Sequence, residues 1–141
     1  MADDSSDFAR SMGIATSGLR AQAGRMRVIS ENIANADSTA LTAGGDPYRR
    51  KVPTFSSELD RALDARVVAL GKIRPDQTAF HVKHEPGNPA ADAAGNVKYP
   101  NVNPVVEMTD MREAQRSYEA NLNIISATRR MIQRTLDILK A

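Results

Sequence analysis

Apolar residues recur in steps of three and four through both ends of this chain. At the N-terminal end the positions are Phe8, Met12, Ala15, Leu19, Met26, Ile29 and Ile33. At the C-terminal end they are Met108, Met111, Tyr118, Leu122, Ile125, Ile132, Leu136 and Leu139. This spacing predicts a narrow helical seam that seeks another helix. Two such seams around a different middle suggest termini that pair with each other and then with other subunits. The pattern points to assembly rather than catalysis.

The first helix is expected to start near Ser5 or Ser6, both good N-cap residues, and to run to about Asn35. The run Asn35-Ala36-Asp37-Ser38-Thr39 then ends it, because these side chains hydrogen-bond their own backbone. About 30 residues at ~1.5 Å each give a rod of about 45 Å. Gly13, Gly18 and Gly24 weaken it by roughly 1 kcal/mol each relative to Ala, so partners must hold it. Ala15, Gly18, Ala21 and Gly24 also let a neighbouring helix come near. The second helix is announced by Asn103-Pro104, a capping residue followed by proline at the first helical position. No glycine or proline interrupts it from there to Lys140.

The middle reads as short extended pieces. Tyr48 to Phe55 is an edge or extended strand because of Pro53. Leu59 and Leu63, four apart, suggest a short helix over Ser57 to Leu63. Val67 to Ile73 and Thr78 to Lys83 are expected to pair as a hairpin around the Arg74-Pro75-Asp76-Gln77 turn. Pro86 through Asn96 reads as a loop. The expected fold is mainly α, with long N- and C-terminal helices paired as an antiparallel coiled coil and a small β-containing middle domain. The domains would be 1–39 with 104–141, and 40–103.

Composition narrows the chemistry. The 141 residues carry 19 Lys and Arg against 17 Asp and Glu, an excess too small to call for nucleic acid. Arg49-Arg50-Lys51 and Arg129-Arg130 are the densest basic clusters, read as solvated surface or subunit contact. With no Cys, disulfides, thiolate metal sites and Cys nucleophiles are excluded. No apolar stretch approaches the ~20 residues of a membrane span. Asp3, Asp4 and Asp7 stand where a secretory signal would be basic.

No catalytic, cofactor or metal site is expected. His81 and His84 are three apart in an extended stretch, so they point to opposite faces. The glycines form no phosphate-binding pattern, and Asp92 to Asn96 has too few oxygen ligands for calcium. Gln22, Gln115 and Arg129 fall where the register would place apolar residues, and Asn32, Asn35, Asn121 and Asn123 add amides along the helices. They fit either a two-helix stem with exposed polar positions or polar groups that fix register among many helices.

Three stretches resemble one family. Ser30-Glu31-Asn32-Ile33-Ala34-Asn35-Ala36-Asp37-Ser38-Thr39 is similar to the signature closing the first helix of bacterial flagellar axial proteins. Pro47-Tyr48-Arg49-Arg50-Lys51, Pro86-Gly87-Asn88-Pro89 and Gly95 to Asn103 narrow the resemblance. Glu107-Met108-Thr109-Asp110-Met111 and Arg116-Ser117-Tyr118-Glu119-Ala120-Asn121 resemble the proximal-rod branch more than other rod or hook proteins. Pro104 stands where that family continues with an aliphatic residue, Asn88 replaces a common His, and Ala40 to Gly45 has no firm counterpart. The resemblance implies a structural rod subunit whose partners are other rod proteins and copies of itself. It implies export through the flagellar type III apparatus without a cleaved signal, and a place in the basal body in the cell envelope. Leu19, Met26, Ile33, Tyr118, Leu122, Ile125 and Ile132 are the expected inter-helix seam, with Asn35 and Asn121 as assembly amides. A soluble adaptor binding partner helices without polymerising is the alternative, and an enzyme on a helical stem is a third.

Overall fold

A computed structural model describes residues 2–140, with side chains from Ser6 onward. Helix α1 spans Ala2–Ala34, and α2 spans Pro104–Lys140. Between them lie β1 (Lys51–Val52), β2 (Phe55–Asp60), β3 (Ala65–Leu70), β4 (Arg74–Pro75), β5 (His81–His84) and β6 (Asn96–Tyr99). The strands form three two-stranded antiparallel sheets, β1 with β4, β2 with β3, and β5 with β6. The expected mainly helical chain with a small β-containing middle is observed.

Both helix ends near the middle follow the local chemistry. The Asn103 side chain accepts from the Val105 and Val106 N–H groups at 3.0 and 3.4 Å, with Pro104 at the first helical position. Helix α1 closes through the Asn35, Ala36 and Ser38 N–H groups, which bond back to Glu31, Ile33 and Asn35 carbonyls. Its start corrects the sequence expectation. The backbone is already helical at Ala2, so neither Ser5 nor Ser6 is the cap, and Asp3 and Asp4 occupy the first turn.

The middle corrects it twice more. Ser57 to Leu63 is no helix, because Phe55–Asp60 is a strand and residues 61–64 form its turn. One pair of leucines four apart does not establish a helical period. The expected hairpin of Val67 to Ile73 with Thr78 to Lys83 is also replaced. Strand β3 turns back on β2, in a register running from Phe55↔Leu70 to Asp60↔Ala65, whereas β5 pairs with β6. The Asp60 carboxylate fixes the first turn by accepting the Ala62 N–H at 2.9 Å and the Leu63 N–H at 3.3 Å. Asp64 closes it in the left-handed region at φ 46°, which Asp tolerates.

The chain divides into two compact units. One takes the chain up to Met26, Thr54–Lys72 and the chain from Glu113 onward; the other takes Arg27–Pro53 and Ile73–Arg112. In the first unit, the β2–β3 hairpin lies along α1. The Val68 N–H donates to the Ser17 hydroxyl at 3.3 Å, and Arg10 Nε donates to the Leu63 carbonyl at 3.0 Å. Leu63 and Leu70 press on Gly13 and Gly24, where an added Cβ would collide with their methyl groups. The base of the hairpin is clasped by Thr54. Its carbonyl accepts the Gly71 N–H and its hydroxyl donates to the Lys72 carbonyl, both at 2.7 Å. Helix α2 meets α1 on another side. Gly18 faces the Asn121 amide, and an Arg25 guanidinium nitrogen lies 3.7 Å from Glu113. Partners on α2 therefore recede in number as α1 advances. Of the two glycines expected to admit a neighbouring helix, Gly18 admits α2 and Gly24 admits a hairpin leucine, as Gly13 also does.

In the second unit, Val28, Ile29, Ala90, Val97 and Val102 form the buried apolar core. The loop between β5 and β6 is held by its own side chains. Asn88 donates to the Glu85 carboxylate at 3.1 Å and accepts the Ala90 N–H at 3.0 Å. Its role is to shape the turn.

Candidate functional site

Two features deserve the name of site, one in each unit. The first is a buried polar cluster where the end of α1, the chain around β1 and the start of α2 meet. Asn32 is only 1% exposed. Its Nδ2 donates to the Lys51 carbonyl at 2.8 Å and to Glu107 Oε2 at 3.0 Å. Its Oδ1 accepts the Lys51 N–H at 2.9 Å and the Tyr48 hydroxyl at 2.8 Å. Both donors and both acceptor positions of the amide are used. The same side chain bonds both the N–H and the C=O of Lys51, as a neighbouring strand would.

Glu107 is also 1% exposed, and its other oxygen receives Arg50 Nε at 2.6 Å. Arg50 reaches Asp76 at 3.4 Å and Asp110 at 3.8 Å with its remaining nitrogens. The Arg50 N–H donates to Asn101 Oδ1 at 2.8 Å, and Asn101 in turn donates to the Thr78 hydroxyl at 2.8 Å. Hydrogen bonding from Thr78, and then from Arg50, holds the Asp76 carboxyl below its ordinary range. A buried charge pair so fully hydrogen-bonded specifies geometry more than it adds net stability. These residues fix where α1 ends and α2 begins on one scaffold.

The cluster revises the reading of Arg49-Arg50-Lys51 as a solvated or subunit-contact patch. Arg50 is committed to Glu107, Lys51 pairs with Glu31, and the Arg49 guanidinium stacks over Phe80 at 4.1 Å. Sequence reasoning did not select Asn32, Arg50 or Glu107. Asn32 was marked by its place in the helix-closing signature and as one of the helix amides, Arg50 by its basic cluster, and none of the three as part of a buried polar group.

Tyr48 reports on this cluster. Burial, and then the charges of Glu31 and Glu107, push its phenol up to about 12 from 10.0. The raised folded value means the neutral phenol's contribution is fully present below pH 10 and is lost as pH rises through about 12. An alkaline titration followed by tyrosinate absorbance should show a late step that Tyr48→Phe removes. A Tyr48 that ionises like free tyrosine in the folded protein would contradict the described burial.

The second site is the helical surface of the first unit. On α2, Ala114 and Thr128 are buried, and Tyr118, Asn121, Ile125 and Ile132 on the same stripe are half-buried. On α1, Ala15, Gly18 and Ala21 are buried, whereas Leu19 and Met26 are half-buried. Small residues thus occupy the tightest positions and the expected large ones stand beside them. Asn121 donates to the Ser117 carbonyl of its own helix at 2.9 Å. Gln22 carries a buried amide oxygen with no hydrogen-bond partner. Leu122 is 42% exposed. In the second unit, Ile33 is half-buried, and Asn35 donates to Glu31 of its own helix at 2.8 Å while lining an open groove with Tyr48, Lys51, Ile73 and Pro75.

Beyond the stripe, α2 keeps exposed apolar residues on both flanks. Leu122 and Leu136 lie on one side of it; Ile124, Met131 and Ile138 lie on the other, seven residues apart. Two-stranded coiled coils usually carry Glu or Lys at these flanking positions. Among the described residues, no group of three His, Cys, Asp or Glu could hold a metal ion, and no helix is long and apolar enough to cross a membrane. His84 meets Asn96 at 3.3 Å, and it and His81 lie on opposite faces of β5.

The chain matches two family models. Residues 12–40 match the flagella basal body rod protein model, and residues 93–138 match the flagellar basal body rod FlgEFG protein C-terminal model. Among curated relatives, the flagellar basal-body rod protein FlgC of Agrobacterium fabrum is 55% identical over 128 residues, covering 91% of this chain and 92% of the relative. FlgC of Bacillus subtilis is 38% identical, covering 92% and 97%. FlgC of Aquifex aeolicus is 38% identical, covering 95% and 98%.

Proposed function

Because the chain belongs to the FlgC family of flagellar basal-body rod proteins, we propose that it builds the proximal rod by polymerising through its terminal helices into a hollow drive shaft. That shaft transmits torque and passes exported subunits. The chain is a structural subunit rather than an enzyme.

The observation that carries this reading is the double apolar flank of α2. A helix that needed only α1 would leave polar residues on both sides of its seam. Here Ile124 and Met131 are nearly half exposed and Ile138 is 76% exposed on one side, with Leu122 and Leu136 on the other. Such a helix gains by acquiring neighbours left and right. Contacts that repeat head to tail without closing produce a helical wall. Within each subunit, α1 and α2 pair as an antiparallel coiled coil, supported by the Gly18–Asn121 approach and the Arg25–Glu113 pair. Segments 1–39 and 104–141 form the rod-core domain, and 40–103 the outer domain. Leu19, Met26, Ile33, Tyr118, Leu122, Ile125 and Ile132 supply its seam, with Asn35 and Asn121 as register-setting amides. The partners are copies of this chain and other rod proteins. The subunit reaches the periplasmic rod through the type III export apparatus.

Each large apolar side chain buried between subunits contributes about 1.5–3 kcal/mol. Met131→Glu with Ile138→Glu should therefore leave a folded monomer but no rod. Cells carrying it should lack hook and filament, as should cells without the gene. Motile cells in either case would refute the rod reading. A wild-type chain that binds partner helices but is absent from purified basal bodies would instead be an adaptor.

A further inference from the structure

Two strand edges remain bare, and they complement each other. In β2, every residue from Phe55 to Leu59 is exposed, and the strand pairs only with β3. The hairpin's other edge is guarded, because the Val68 N–H is taken by Ser17 of α1. Natural edges this long are normally blunted by charged side chains, above all Lys, by Pro or by a bulge, so that acidic groups on an edge select a basic partner strand. Strand β2 has no Lys or Pro, and carries Glu58 and Asp60. In β5, all four residues are exposed and pair only with β6. Its sequence, His81-Val82-Lys83-His84, is basic around one apolar residue.

We propose that β2 of one copy pairs with β5 of a second copy, as an antiparallel interchain sheet that links successive subunits. One register satisfies all four positions at once. It places Ser57 opposite His84, Glu58 opposite Lys83, Leu59 opposite Val82, and Asp60 opposite His81. Glu58 meets the opposite charge of Lys83 and Asp60 meets the ring N–H of His81 on one face, and Leu59, 61% exposed, meets Val82, 60% exposed, on the other. A parallel alignment that keeps Glu58 opposite Lys83 sets Leu59 against His84 and Ser57 against Val82. Main-chain hydrogen bonds give such strand addition its affinity and the alternating side chains its specificity. The two edges differ, so the contact is head to tail and propagates.

This inference rests on the rod reading, because it needs copies side by side. The chain has no cysteine, so introduced thiols report without background. Basal bodies from cells co-expressing Glu58→Cys and Lys83→Cys copies should yield a disulfide-linked dimer on mild oxidation. Ser57→Cys with Lys83→Cys, on opposite faces, should not. Glu58→Lys should reduce swarming to the level of a rodless strain, and Glu58→Lys/Lys83→Glu should restore it. Wild-type chain present in purified rods, with no Glu58–Lys83 crosslink or no rescue by the charge swap, would overturn the strand pairing alone. Chain absent from purified rods would overturn the rod reading and the pairing with it.

Discussion

Glu107→Ala should destabilise the isolated chain by about 3–5 kcal/mol, the range for removing one partner of a buried charge pair. The carboxylate is 1% exposed and receives both Arg50 Nε at 2.6 Å and the Asn32 amide at 3.0 Å. Its loss strands a buried donor on Asn32 and leaves Arg50, which is only partly exposed, to the longer contacts with Asp76 and Asp110. Urea unfolding should show an earlier midpoint in the unit that contains Arg27–Pro53 and Ile73–Arg112. Arg50→Met combined with Glu107→Leu should cost less than Glu107→Ala, because neither charge is then left alone. A Glu107→Ala chain with unchanged stability would mean that the buried pair is not what joins these segments.

Gly18→Ala should fail to stabilise α1 despite its gain of roughly 1 kcal/mol in helix propensity. The new Cβ would stand 2.8 Å from Asn121 Nδ2 and 3.0 Å from its Cγ, so the amide must leave its bond to the Ser117 carbonyl. Gly18→Leu would overpack the same place and cost about 1–3 kcal/mol. The decisive measurement is a double-mutant cycle by denaturant titration. Asn121→Ala should free the space and make Gly18→Ala favourable, giving a coupling of about 0.5–3 kcal/mol. Strict additivity would show that the two helices do not meet there.

The long helices were legible because period and caps agree over many residues, as at Asn103-Pro104. The seam within them was read from large side chains: Tyr118, Ile125 and Ile132 lie on the stripe of buried Ala114 and Thr128, whereas Leu19, Met26 and Leu122 stand beside the tightest positions. Close packing around Gly18 selects the smallest side chains for the tightest positions, and hydrophobicity does not rank Gly, Ala and Thr128 above Leu19 or Met26. The β2 strand was obscured because Leu59 and Leu63 sit at a helical spacing for unrelated reasons. Leu59 is exposed on the strand, and Leu63 reaches from the turn to Gly13. The polar cluster was the least legible part. Asn32 and Glu107 lie 75 positions apart, and Arg50 and Glu107 lie 57 apart. Each alone looks like a surface residue, and only folding shows that Asn32 and Arg50 both satisfy the Glu107 carboxylate.

The Thr54 clasp has an evolutionary consequence. Two hydrogen bonds to Gly71 and Lys72 hold the outgoing and returning strands together at the root of the hairpin. Everything beyond that root is laid along α1 and tied to it by Leu63 at Gly13, Leu70 at Gly24 and the Val68–Ser17 bond. Its length is therefore matched to α1: residues inserted or deleted in pairs would keep β2 paired with β3 but move Leu63 off Gly13, so lineages that change one must change the other.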